Sequence, residues 1–109
     1  MGDVFKALAD PTRRAILDGL QERNGQTLFE LCARLAGQGL GSTRQAVSQH
    51  VGLLEDAGLV TTRRQGRFKY HYIDTAPLRA VVDRWRIPAD APPETYPPRH
   101  TRPRTERQP

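Results

Sequence analysis

The feature that most constrains this chain is residues 42–58, which have the pattern of an amphipathic helix with two defined ends. Ser42 is predicted to cap the amino end, because its hydroxyl can accept a backbone N–H that lacks a partner in the first turn. Gly58 is predicted to end the helix, because glycine adopts a left-handed conformation at little cost. At helical spacing, one side collects the apolar residues and one histidine: Ala46, Val47, His50, Val51, Leu53, Leu54 and Ala57.

The opposite side of this helix carries amides, a hydroxyl and a single cation. It consists of Arg44, Gln45, Ser48, Gln49 and Gly52. A helix face that is merely solvated usually contains more Lys and Glu. Amides, hydroxyls and guanidinium groups are the partners of base edges in a DNA major groove. This face therefore indicates nucleic-acid recognition, with an ordinary surface helix as the alternative.

A second amphipathic helix precedes this one. Thr27 is predicted to cap it, and its apolar residues are Leu28, Phe29, Leu31, Cys32 and Leu35. Three glycines within residues 37–41 break the helical pattern and predict a turn. Two amphipathic helices joined by such a turn have the outline of a helix-turn-helix, although a plain helical hairpin has the same outline. Two helices are predicted to begin earlier, a short one at Asp3 and a second at Asp10–Pro11 that runs to about Gln21.

After Gly58 the period of the sequence changes to that of β-strands. Residues 59–63 and 68–73 favour strands, and residues 64–67 contain the glycine of a turn. Residues 61–72 hold no acid and four cations, which are Arg63, Arg64, Arg67 and Lys69. Such a concentration indicates a phosphate backbone nearby. A hairpin tip made basic for solubility alone is the alternative.

The chain is predicted to end in a helix and a tail. Asp74 or Thr75 can cap a helix on which Leu78, Val81, Val82 and Trp85 form an apolar stripe. The stripe is either core or half of a dimer interface. Residues 87–109 contain seven prolines, so we expect a disordered tail after a single folded domain of residues 1–86.

Composition narrows the classes of function. Lys and Arg total 17 against 12 Asp and Glu, which favours a polyanionic partner such as nucleic acid or an acidic membrane surface. There is no apolar run of membrane-spanning length and no secretory signal, so we expect a cytoplasmic protein. A single cysteine fits a reducing compartment. No grouping of acids, His or Cys indicates an enzyme, and no cofactor is predicted.

Four stretches, in this order, resemble those of the ArsR-type bacterial transcriptional repressors. They are FKALADPTRRAIL (residues 5–17), RQAVSQH (44–50), LLEDAGLV (53–60) and RQGR (64–67). The resemblance covers about residues 3–86. It implies a mainly α fold with a small β hairpin, that is, a winged helix-turn-helix with flanking terminal dimerisation helices. It also implies a homodimeric repressor that binds an inverted-repeat operator in double-stranded DNA.

The resemblance gives each predicted site residue a role. Helix 43–57 would enter the major groove and hairpin 61–72 would be the wing. The predicted DNA contacts are Thr43, Arg44, Gln45, Ser48, Gln49, Arg63, Arg64, Arg67 and Lys69. The predicted dimer interface consists of Val4, Phe5, Leu8, Leu78, Val81, Val82 and Trp85. The alternative function is a winged-helix module that binds another protein, without specific DNA binding.

Neither metal site that is usual in this family is predicted. One family site uses a Cys-x-Cys pair in the third helix, but here Arg34 stands where the thiolate after Cys32 would be. Another uses Asp and His on the last helix, where residues 75–86 offer Asp83 and no His. Cys32 is therefore expected to pack in the core, and His50 to be buried and hydrogen-bonded. The effector is left open, with an organic ligand in the dimer cleft and a thiol switch at Cys32 as alternatives.

Overall fold

Helices and a hairpin follow one another in the predicted order. The computed structural model describes residues 2–86. Its elements are α1 (Val4–Leu8), α2 (Pro11–Glu22), α3 (Leu28–Gly37), α4 (Arg44–Asp56), β1 (Val60–Gln65), β2 (Phe68–Ile73) and α5 (Ala76–Arg84). The predicted mainly α fold with a small β hairpin is confirmed, since α3, α4 and the hairpin form a winged helix-turn-helix. The predicted disordered tail, residues 87–109, lies outside the described residues.

Side-chain caps define where the first four helices begin. Asp3, Asp10 and Thr27 cap α1, α2 and α3, as predicted. The prediction of Ser42 as the cap of α4 is wrong, because the backbone N–H of Ala46 donates to the hydroxyl of Thr43 at 3.0 Å. A cap must directly precede the first helical residue, and α4 begins at Arg44.

The core lies between α2, α3, α4 and the start of the hairpin. Its fully covered side chains include Leu20, Leu31, Leu35, Val47, Leu54 and Leu59. The prediction that Leu53 faces inward is wrong, since 45% of it is exposed. Successive helical residues turn by about 100°, and Val47, Val51 and Leu54 define a buried arc that leaves Leu53 outside.

The hairpin is attached to the helices at its base. β1 pairs with β2 antiparallel, from Val60 opposite Ile73 to Gln65 opposite Phe68, and Gly66 turns the chain with a φ of 63°. Gln26 joins the hairpin through a single bridge, in which Gln26 and His71 exchange backbone hydrogen bonds of 3.1 and 2.7 Å. The buried ring of His71 adds a contact of 2.8 Å between Nδ1 and the Gln26 carbonyl oxygen. His71, to which the sequence assigned no role, therefore fixes the hairpin to the α2–α3 connection.

The two terminal helices leave apolar side chains in water. α5 contains no fully buried residue, and Thr75, which directly precedes it, makes no side-chain cap bond. The Asp74 carboxylate instead accepts the backbone N–H of Ala76 at 2.9 Å. The rings of Phe5 on α1 and Trp85 at the end of α5 lie 6.4 Å apart between centroids. None of the helices in residues 2–86 has the length and hydrophobicity of a bilayer-spanning segment.

Candidate nucleic-acid interface

The outer face of α4 is free for contact. Arg44, Gln45, Ser48 and Gln49 are all exposed. A Cβ added at Gly52 would meet nothing within 4 Å, so the surface is open at this glycine, toward the carboxyl end of the face. Thr43 is exposed, and its hydroxyl accepts the Ala46 N–H at 3.0 Å. The hydroxyl proton of Thr43 remains available for an acceptor such as a phosphate.

The inner face of α4 holds this surface rigidly. Val47, Val51 and Leu54 are buried in the core. A helix backbone that is packed in this way loses little further freedom on binding a partner, and only the exposed side chains become ordered. The backbone positions of the polar residues of α4 are therefore preorganised for recognition.

The cations of the hairpin lie on both of its faces. Arg64 and Lys69 are direct cross-strand partners, so their side chains share one face. Arg63 pairs with Tyr70 and places its guanidinium carbon 5.5 Å from the centre of the Tyr72 ring, on the opposite face. Arg67 lies in the turn. The predicted basic group is thus divided, and Arg63 lies apart from Arg64 and Lys69.

A cleft of about 470 Å³ separates the hairpin from α4 and the start of α3. We call it the wing cleft. It is lined by Thr27, Leu28, Phe29, Arg44, Ser48, Val51, Glu55, Arg64, Arg67, Phe68, Lys69 and His71. Four of the predicted DNA-contact cations, Arg44, Arg64, Arg67 and Lys69, meet here. Gln45 and Gln49 lie on the outer side of α4, beyond the cleft.

Two exposed aromatic residues of this cleft were not predicted as site residues. Phe29 is 70% exposed and Phe68 is 53% exposed. The prediction that Phe29 lies on the apolar face of its helix is wrong. The covered side of α3 follows Leu28, Leu31 and Leu35, and Phe29 lies about 100° away from Leu28 around the helix axis.

The charge of the wing cleft is not compensated by ion pairs. Within residues 2–86, the acids pair with Arg23, Arg34 and Arg86, and Asp10 lies 3.8 Å from His50. None of these pairs includes a cation of the wing cleft. Its positive potential is therefore available to a polyanion.

Arg13 joins the start of α2 to α1 and α4. Its Nε donates to the Ala7 carbonyl oxygen at 2.8 Å, and its Nη2 donates to that of Lys6 at 3.0 Å. Its Nη1 lies 3.2 Å from Nδ1 of His50 on α4. The predicted hydrogen bonding of His50 is confirmed, although a quarter of its side chain stays exposed. His50 thus faces α2 rather than the outer side of α4.

Asp10 lies beside this contact. Burial acts to raise the pKa of the Asp10 carboxyl, but the backbone N–H of Arg13 and the charges of His50 and Arg13 hold that pKa below its ordinary value. Asp10 is therefore an ionised cap at neutral pH.

The seven predicted interface residues lie on α1, α5 and the residue after α5. Val4, Leu8 and Leu78 pack partly against the core of their own chain, and Val81 is half-buried. Phe5, Val82 and Trp85 are each more than half exposed. We call these last three the terminal apolar face.

The remaining sequence candidates form no cluster. In the described part of the chain, no three His, Cys, Asp or Glu side chains come together as metal ligands do. Cys32 is half-buried and packs against the core, as predicted.

The fold and the exposed face of α4 define a winged helix-turn-helix protein. A family model described as "Helix-turn-helix domain" matches residues 8–63. The chain is 48% identical to the uncharacterized HTH-type transcriptional regulator YuzN of Bacillus subtilis, over 75% of this chain and 90% of YuzN. It is 33% identical to the transcriptional repressor SdpR of the same organism, over 80% of this chain and 89% of SdpR.

A solved structure has the same fold. It is the homodimeric winged helix-turn-helix DNA-binding domain of a Mycobacterium bovis protein, with a TM-score of 0.57 and 31% identity. The match covers 73% of this chain and 71% of that domain. The chain belongs to the ArsR family of winged helix-turn-helix transcriptional regulators.

Proposed function

We propose that this protein is a homodimeric repressor that binds an inverted-repeat operator through α4 and the hairpin. The observation that carries the proposal is the exposed amide and hydroxyl face of α4 beside a cleft of unpaired cations. The family contributes the expectation of DNA as the partner.

α4 enters the major groove and reads base edges. Arg44, Gln45, Ser48 and Gln49 offer donors and acceptors along its outer face. Arginine pairs well with guanine and glutamine with adenine, each good bidentate pair being worth about 1–3 kcal/mol of discrimination. Gly52 lets the helix approach closely, since no side chain stands in the way.

The hairpin positions the protein on the phosphate backbone. Arg64, Arg67 and Lys69 border the wing cleft and contact phosphates together with the Thr43 hydroxyl. Arg63, on the other face of the hairpin, adds to the positive field and contacts a phosphate further along the duplex. These contacts set the register of α4 and carry no sequence information of their own.

Two copies bind together through α1 and α5. The terminal apolar face is the surface that a second copy covers, along with the less exposed Val4, Leu8, Leu78 and Val81. A dimer with two-fold symmetry presents two α4 helices to two half-sites, so its operator is an inverted repeat. Repression follows because the bound dimer occupies a promoter and excludes polymerase.

The test is footprinting on the DNA upstream of the gene, followed by titrations of the protected fragment. Gln49→Ala is expected to lower specificity, by about 1–3 kcal/mol at the base it reads. Arg67→Ala is expected to weaken binding to all sequences alike and to flatten the salt dependence by about one phosphate contact per subunit. Lys6→Ala on α1 removes the same charge and serves as the control.

Two results would contradict the proposal. A chain that protects no DNA but retains a protein partner would be a protein-interaction module. If Arg67→Ala and Lys6→Ala had the same salt slope as the wild-type protein, the hairpin would not contact the phosphates.

A further inference from the structure

We infer that Phe29 and Phe68 pack against the deoxyribose rings of the DNA strand that crosses the wing cleft. The inference rests on the proposed function and assigns a role to two residues that the proposal leaves unused. Both rings are more than half exposed, which is unusual for large apolar side chains.

The position of the cleft determines which part of the duplex enters it. α4 lies in the major groove, and the hairpin lies beside α4 on the same side of the molecule. Adjacent grooves of a duplex are separated by a single sugar–phosphate strand. A protein that places α4 in one groove and the hairpin over the next must receive that strand in the cleft between them.

The chemistry of the cleft matches this strand. The backbone of DNA alternates charged phosphates with largely apolar sugars. The cleft offers cations on α4 and the hairpin and the ring of Phe29 on α3. Phe68 on β2 borders the cleft at the edge of the hairpin, from the side on which its ring lies 6.3 Å from that of Tyr70. Glu55 is the one acid among the lining residues, so the balance of charge favours a polyanion.

A protein partner is a poorer fit for this cleft. Protein interfaces have a core that is depleted in charge and rich in apolar contacts. Here the two rings stand among four cations rather than in a continuous apolar patch. The terminal apolar face lies on other elements, α1 and the α5 end, so dimerisation through it leaves Phe29 and Phe68 unaccounted for.

The role predicts a distinctive response to salt. A neutral ring that covers a sugar removes apolar surface from water but releases no counterion. Loss of the ring therefore lowers affinity at every salt concentration by the same factor. Loss of Arg67 instead changes the slope of log affinity against log salt concentration.

The experiment measures binding of the footprinted DNA fragment by fluorescence anisotropy at several salt concentrations. Phe29→Ala and Phe68→Ala are each expected to weaken binding about fivefold, as partial burial of a phenylalanine ring allows. The plots of log affinity against log salt are expected to run parallel to that of the wild-type protein. Phe29→Leu is expected to recover part of the affinity. Gln38→Ala, exposed at the other end of α3, is the control and is expected to bind normally.

Circular dichroism separates this role from a structural one. Because Phe29 is so exposed, Phe29→Ala is expected to melt at the wild-type temperature. Binding by both alanine variants within twofold of the wild-type protein would overturn the inference and leave the proposed function intact. If the slope of log affinity against log salt in either alanine variant differed from that of the wild-type protein, the inference would be overturned as well. A wild-type protein that binds no DNA would overturn the proposed function itself.

Discussion

The pair Thr27 and Glu30 shows how two residues set the start of a helix. Glu30 N–H donates to the Thr27 hydroxyl at 3.2 Å, and Thr27 N–H donates to a Glu30 carboxylate oxygen at 2.9 Å. That second bond is the main reason why the pKa of Glu30 lies below its ordinary value. Burial acts to raise the pKa of Glu30, and the Arg23 charge acts to lower it further. Gln26, which holds the hairpin, directly precedes this cap.

The pH dependence of stability follows from the lowered pKa of Glu30. A carboxyl with a folded-state pKa below its unfolded value stabilises the fold above the unfolded value, and the contribution is lost as the pH falls through the folded value. The ordinary value is 4.5. We therefore expect the melting temperature of the wild-type protein to fall more steeply below about pH 4.5 than that of Glu30→Gln, because Gln keeps the cap without titrating.

Calorimetry or circular dichroism from pH 7 to pH 3 tests this expectation. Glu22→Gln is the comparison variant: the hydrogen bond and charge of Arg34 also lower the pKa of Glu22, so this variant is expected to lose part of the acid sensitivity as well. Melting curves of Glu30→Gln that keep the full acid sensitivity of the wild-type protein would remove the capping carboxylate as its source.

Residue-scale features were predictable from sequence where a single local rule applied. Asp3, Asp10 and Thr27 are caps with no competing neighbour of the right kind. Ser42 and Thr43 both carry a hydroxyl, so composition alone does not decide between them. His71 gave no local signal, because its partner Gln26 lies 45 residues earlier in the chain.

At the scale of elements, Arg13 couples the first helix to α4. It contacts two α1 carbonyls and His50 of α4 from one guanidinium group. Its neighbour Arg14 donates to the Leu8 carbonyl oxygen at 2.7 Å, at the end of the same helix α1. Arg13 and Arg14 therefore both hold α1, but of the two it is Arg13 that also contacts α4.

Arg13→Ala is expected to lower the free energy of unfolding by about 1–3 kcal/mol, because it removes hydrogen bonds made by a charged donor. We also expect weaker DNA binding, since α4 loses part of its support. Arg14→Ala is expected to keep the wild-type DNA affinity. Urea unfolding and anisotropy titrations measure both quantities, and equal DNA affinities for the two variants would contradict a coupling through Arg13.

Periodicity predicted the order and type of the elements, but not all of their orientations. Each of Phe29 and Leu53 is an apolar residue within an amphipathic pattern, and each is exposed. A helix has room for only a limited buried arc, and the tertiary packing of α2, α3 and α4 decides which residues fall in it. The wing cleft depends on three separate elements, so no local pattern indicates it.

For the whole molecule, we expect the terminal apolar face to determine the state of assembly. Its Trp85 is the single tryptophan of the chain and is 62% exposed. The sequence did not decide whether the apolar stripe on α5 belongs to the core or to a dimer interface, because both require apolar residues at the same helical spacing. The described chain leaves Phe5, Val82 and Trp85 uncovered, which favours the interface.

Dilution of the wild-type protein is expected to shift the Trp85 emission to longer wavelength, because dissociation of the dimer returns the indole to water. Phe5→Glu is expected to show the long-wavelength emission at all concentrations and to sediment as a monomer, since a charge in an apolar interface is destabilising. Sedimentation equilibrium and fluorescence measure these results. Gln38→Ala is the control, and a Phe5→Glu variant that remained dimeric would place the interface elsewhere.

The bond between Gln26 and His71 has a consequence for the kind of duplex that can be bound. Because the hairpin is fastened to the helical core at its root, the separation between the hairpin and α4 is set by the buried residues Gln26 and His71. In the proposed complex, this fixed separation has to match the spacing of the grooves. We therefore expect binding to depend on the twist of the duplex as well as on its base sequence.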